Sequence, residues 1–189
     1  METYRAFCKD RSEPGPVAWE ALRATGFKKP LVEADHASTR RIFGPSVGRI
    51  DQLYCLRDVH ENFNSLAGAF GYTPDVYKRR IGQSIDGLRA TADDPLFRYH
   101  PVHLNDFLAA EDRGAWAKAR IFDPLGADLS LEESRVLIAA TVQANRTPDA
   151  RRRPGTTEAE RAEIAGDAAF VAKVRWLEDR FEVSLLDRG

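Results

Sequence analysis

Three times in this chain a hydroxyl residue stands where a helix must begin. Thr73 is followed by Pro74 and Asp75. Ser130 has Glu133 three positions on, and Thr157 has Glu160 at the same spacing. A Ser or Thr side chain takes up a free amide of the first turn, and Glu at the third position returns the bond. Proline fits the first helical position and an acid favours the positive end of the dipole. These signals commit three stretches to helix, and the apolar spacing around them adds more. Ile50, Leu53, Leu56, Val59, Phe63, Leu66 and Phe70 step by three or four residues. That predicts one buried helical stripe from Val47 to Phe70 with at most one break, stopped by Gly71. Tyr77, Ile81, Ile85, Leu88 and Ala92 continue the pattern after Thr73.

The remaining segments read in the same way. Residues 9–16 are a Pro/Gly loop. Pro16 to Gly26 and Pro30 to Phe43 read as short helices. Residues 91–101 read as a loop carrying aromatics. A helix through Leu104, Phe107, Leu108, Ala115 and Ala119 follows, then a short extended piece at Ile121–Pro124. Val136 to Ala144 is so apolar that it is expected in the middle of the core. Phe170, Val174, Leu177 and Phe181 form the stripe of a last helix. Tyr4–Cys8 and Phe181–Leu185 alternate as short strands do.

The expected fold is mainly α, a compact bundle of about six to seven helices with a minor β pairing of the termini. The expected organisation is a helical body over 1–146, a flexible basic loop over 147–157, and a C-terminal helical piece over 158–189. That last piece packs on the body or on a second subunit.

Composition removes several function classes. The chain has 189 residues with 43% hydrophobic content and a formal net charge of -1. It can bury a core without staples and has no global attraction for nucleic acid or anionic lipid. Its two cysteines, Cys8 and Cys55, are too few for a disulfide framework. No apolar run spans a membrane and no signal peptide opens the chain, so the expected place is the cytoplasm. Abundant Ala and Arg fit a GC-rich bacterial source. There is no Gly-rich phosphate loop, no Gly-x-Ser-x-Gly and no Cys-x-x-Cys.

The richest constellation lies at residues 63–82. A DNA-reading helical pair needs a small residue where the helices cross, and Ala67 supplies it. It needs a residue tolerant of positive φ in the turn, and Gly71 supplies that. The run Ala-Phe-Gly-Tyr-Thr-Pro resembles the helix-turn-helix of bacterial regulators over about twenty residues. The resemblance implies that Thr73, Asp75, Lys78, Arg79 and Arg80 face double-stranded DNA, with the protein a homodimer. The local charge agrees. Between His36 and Gly82 there are seven basic residues (Arg40, Arg41, Arg49, Arg57, Lys78, Arg79, Arg80) against four acids (Asp51, Asp58, Glu61, Asp75). Binding to phosphate needs such an excess. The apolar spacing after the turn departs from the regulator pattern, and the second stripe is long for a recognition helix. Two ordinary core helices with Lys78, Arg79 and Arg80 on a solvated face explain the same residues.

Two rival readings stand beside it. One is a helical module that binds a protein partner or a small ligand without catalysis, with Phe97, Tyr99 and Phe107 lining a pocket. The other is a metal-assisted or acid–base enzyme using His60 and Glu61 with Asp58, or His100 and His103 with Asp106. Against it, no His-Glu-x-x-His occurs, and Pro101 keeps His100 and His103 off one helical face; no cofactor or metal is expected. Cys55-Leu56-Arg57-Asp58 superficially resembles the bilin-attachment stretch of phycobiliproteins, but nothing else in the chain does. The plain expectation is a buried thiol. Arg151, Arg152 and Arg153 read as a solvated loop cluster.

Overall fold

The computed structural model describes residues 39–41, 44–45, 48–144 (main chain only for 141–144) and 155–186. In chain order the elements are β1 (Ile50–Leu56), α1 (Val59–Phe70), α2 (Pro74–Thr91), β2 (Phe97–His103), α3 (Leu104–Ala109) and α4 (Arg113–Ala117). A π-helical turn (Lys118–Phe122), α5 (Leu131–Ala144), α6 (Glu158–Ala165) and α7 (Ala168–Phe181) follow. Among the described residues the protein is mainly α-helical, with one two-stranded parallel sheet.

The sheet lies in mid-chain, not at the termini. β1 pairs with β2 from Ile50 opposite Phe97 to Leu56 opposite His103. The helix expected to begin at Val47 is therefore a strand as far as Leu56. On a strand, alternate residues share a face, so Tyr54 and Leu56 are buried while Leu53 is 38% exposed. The loop expected over 91–101 becomes strand from Phe97. Pro101 is tolerated because both strands of a two-stranded sheet have an open edge. No strand forms over Phe181–Leu185. Helix α7 runs to Phe181 and ends at Glu182, which takes the left-handed conformation. Tyr4–Cys8 lies outside the described residues, as do the Pro16–Gly26 helix and Arg151–Arg153. Of the Pro30–Phe43 helix, Thr39–Arg41 is described as helical.

The core gathers one face of β1 with α1, α2, α6 and α7. Tyr54, Leu56, Val59, Phe63, Tyr77, Ile85, Leu88, Ile164, Phe170, Val174, Leu177 and Leu185 form it. The stripe of α7 is thus packed within the chain. The C-terminal segment divides into two helices because Asp167 caps a new start, accepting from the Phe170 amide at 3.0 Å. Residues after α7 turn back onto α1. The Val59 amide donates to the Leu185 carbonyl at 2.9 Å. The buried Glu178 carboxylate accepts from the Leu185 and Leu186 amides at 2.6 and 2.9 Å.

Helix α5 corrects an expectation. It lies against α4, and Val136 and Leu137 are 61% and 46% exposed. Small residues form the interface. Ser134 Oγ donates to the Gly114 carbonyl at 2.7 Å, and the two backbones come so close that larger side chains turn to other faces. The helix expected from Leu104 to Ala119 is also interrupted, because Asp112 caps α4 through the Ala115 amide at 3.0 Å. Ile121–Pro124 is not extended. The Asp123 amide donates five residues back to Lys118, closing a π turn.

Candidate nucleic-acid interface

Helix α1, a three-residue turn and α2 form a helical pair, and local chemistry dictates each part. Gly71 has φ 68°, the left-handed region that glycine enters without a Cβ penalty. Its amide donates to Ala67 O at 2.9 Å and closes α1. Thr73 then caps α2, accepting from the Val76 amide at 3.4 Å, with Pro74 in the first turn. Tyr77 anchors α2 from inside. Its ring meets Phe63 and Phe170 edge-on at 5.4 and 5.8 Å. Its hydroxyl donates to Val59 O at 3.0 Å. Burial, helped by the Asp58 charge, pushes this phenol far above its ordinary range.

The five residues expected to face DNA separate into groups. Thr73 is exposed and occupied as a cap. Arg79 and Arg80 are exposed, and neither pairs with an acid among the described residues. Gln83 is exposed one turn further along α2. Lys78 turns away, with its side chain only 12% exposed. Its Nζ lies 3.0 Å from Asp75, 3.8 Å from Glu163 and 3.7 Å from Asp167. The hydrogen bond to Asp75 holds its pKa above the ordinary lysine value against some burial, with help from Asp167 and Glu163.

The basic excess read from the sequence shrinks in three dimensions. Arg40 pairs with Asp94, Arg49 with Asp51, Arg57 with Glu61, and Lys78 with its three acids. Glu163 and Asp167 lie far along the chain from Lys78, so helical spacing alone gave no sign of them. At the turn itself Phe70 is 70% exposed, its ring 6.0 Å from Tyr72. An apolar side chain in that place departs from a fully packed helical pair.

The acid–base candidates gather at the carboxyl ends of the two strands. Asp58 is buried and caps α1, its Oδ1 accepting from the His60 and Glu61 amides at 2.9 Å each. Glu61 Oε2 accepts from Arg57 at 3.2 Å and from Asn105 Nδ2 at 2.9 Å, tying the two strand ends together. Burial holds the His60 imidazole below its ordinary pKa, with Asp58 opposing and Arg161 adding to the effect. His103, buried, caps α3, and its Nδ1 lies 3.0 Å from Asp106. His100 points elsewhere, to Asp51. Among the described residues no three His, Cys, Asp or Glu side chains are arranged to hold a metal ion.

Cys55 is exposed on β1 rather than buried. The aromatic trio expected to line a pocket divides. Phe97 stacks on Tyr99 at 6.0 Å, whereas Phe107 packs edge-on against Trp116 at 5.5 Å. No helix among the described residues is long and apolar enough to cross a membrane. No family model, curated protein or solved structure matches this chain.

Proposed function

We propose that the protein binds double-stranded DNA through the outer face of α2, as a helix-turn-helix regulator. The observation that carries this reading is the pair Arg79 and Arg80. Both are exposed, Arg79 on the side of α2 away from the Tyr77 anchor and Arg80 on its flank, on a helix whose entry is set by Gly71 and Thr73. A rigid helix that presents two uncommitted guanidinium groups can follow a phosphate backbone and donate to guanine edges. Gln83, on the same side one turn on, adds an amide able to pair with adenine. Thr73 lies at the end of α2 that enters the groove in such pairs. Asp75 and Lys78 contribute to the shape of that end through their mutual ion pair.

Fluorescence anisotropy with a mixed-sequence duplex at low salt tests the reading. Wild-type protein should bind. Arg79→Ala together with Arg80→Ala should weaken binding and flatten the salt dependence, the slope falling by about one for each phosphate that is no longer neutralised. Absence of binding by the wild type, or identical binding by the double variant, would overturn it.

A further inference from the structure

A cationic residue on a DNA-binding helix is expected to face the solvent, and Lys78 does not. It sits between Tyr77, the inner anchor, and Arg79, the outer one, and its stem runs toward the junction of α6 and α7. There its ammonium meets carboxylates from two other places in the chain, Glu163 near the end of α6 and Asp167 at the start of α7, beside Asp75 on its own helix. Three carboxylates around one ammonium leave the corner net negative. The Glu163 and Asp167 side chains are 49% and 35% exposed. Each is therefore well hydrated, and exposed pairs of this kind are individually weak. A lysine stem is long and rotatable, so the same ammonium can be drawn outward when a stronger anion arrives. A phosphate backbone is such an anion.

We infer that Glu163 and Asp167 act as an internal substitute for phosphate, holding Lys78 back from the DNA surface of α2. The α6–α7 junction thereby sets how much positive charge that helix offers to a duplex. This rests on the DNA-binding reading above. Neutralising the two acids should leave Lys78 tied only to Asp75, whose side chain is 83% exposed on α2 itself, so that the ammonium can swing outward to pair with one further phosphate.

The test measures duplex binding against salt for wild type, for Glu163→Gln/Asp167→Asn, and for the same pair combined with Lys78→Gln. Asparagine at 167 keeps an oxygen for the Phe170 amide, so the α7 cap survives. The double variant should bind about five-fold tighter at low salt, with a salt slope steeper by about 0.9. Adding Lys78→Gln should remove both gains. Glu163→Gln alone, which leaves the cap untouched, should show a smaller change in the same direction. An unchanged slope in the double variant would overturn the inference while leaving the DNA-binding reading standing. So would a gain that persists without Lys78, because it would reflect net charge alone. Failure of wild type and double variant alike to bind duplex at low salt would sink both.

Discussion

His100 reaches diagonally across the parallel strand pair to Asp51, its Nε2 2.8 Å from the carboxylate Oδ1. In the register of the sheet His100 stands opposite Leu53, and Asp51 opposite Arg98. Burial acts to raise the Asp51 carboxyl. The His100 hydrogen bond and then Arg49 outweigh it and hold the group below the ordinary carboxylate range. A carboxyl whose folded pKa is depressed adds stability that is fully present above its unfolded value, about 4, and lost as pH falls through the folded value. Asp51→Asn should therefore cost about 1 kcal/mol at neutral pH. Its deficit against wild type should shrink as the pH drops below about 4. Urea midpoints across that range measure it, and a deficit that does not change with pH would contradict the account.

Gly71→Ala isolates the turn. A Cβ there would meet nothing within 4 Å, so crowding plays no part. The left-handed backbone alone should cost about 1 kcal/mol. Gly71→Asn should cost less, because Asn tolerates this conformation. Equal thermal midpoints for Gly71→Ala and wild type would mean that the turn relaxes freely.

Gly114→Ala probes the opposite kind of constraint. A Cβ on Gly114 would lie 2.7 Å from Arg135 Cα and 2.9 Å from its amide nitrogen. Backbone cannot swing aside as a flexible side chain can. Helices α4 and α5 must separate, at a cost of roughly 1–3 kcal/mol and with weakening of the Ser134 bond to the Gly114 carbonyl. Denaturant titration measures the loss.

Val136→Lys should leave stability within about 0.5 kcal/mol of wild type, because Val136 is 61% exposed. A loss of several kcal/mol would restore the sequence expectation that this helix lies in the core.

The helix starts were legible because capping is local chemistry. The boxes at Ser130 and Thr157 form as spaced, with Glu133 accepting from the Ser130 amide at 2.8 Å and Glu160 from the Thr157 amide at 2.9 Å. The strands were not legible. Ile50, Leu53 and Leu56 happen to fall at helical spacing, and the polar Gln52 hides the strand alternation. In β2, Arg98, His100 and Pro101 mask the pattern, and the parallel pairing depends on a partner that no local signal names. The apolar run of α5 misled for a related reason. Hydrophobicity tells what a helix would bury, but the small pair Gly114 and Ser134 decides which side it presents. In the candidate interface, the α1–turn–α2 unit was readable, whereas the diversion of Lys78 by Glu163 and Asp167 needed long-range geometry.

The return of the segment around Leu185 to α1 bears on the order in which the molecule can mature. The Val59 amide and the Glu178 carboxylate are both satisfied by the segment around Leu185. During synthesis, α1 must wait for the segment around Leu185 to leave the ribosome before its first turn is complete. Nascent chains halted before Leu185 should therefore carry an unsealed core, open to proteases and chaperones, that closes only when those residues emerge.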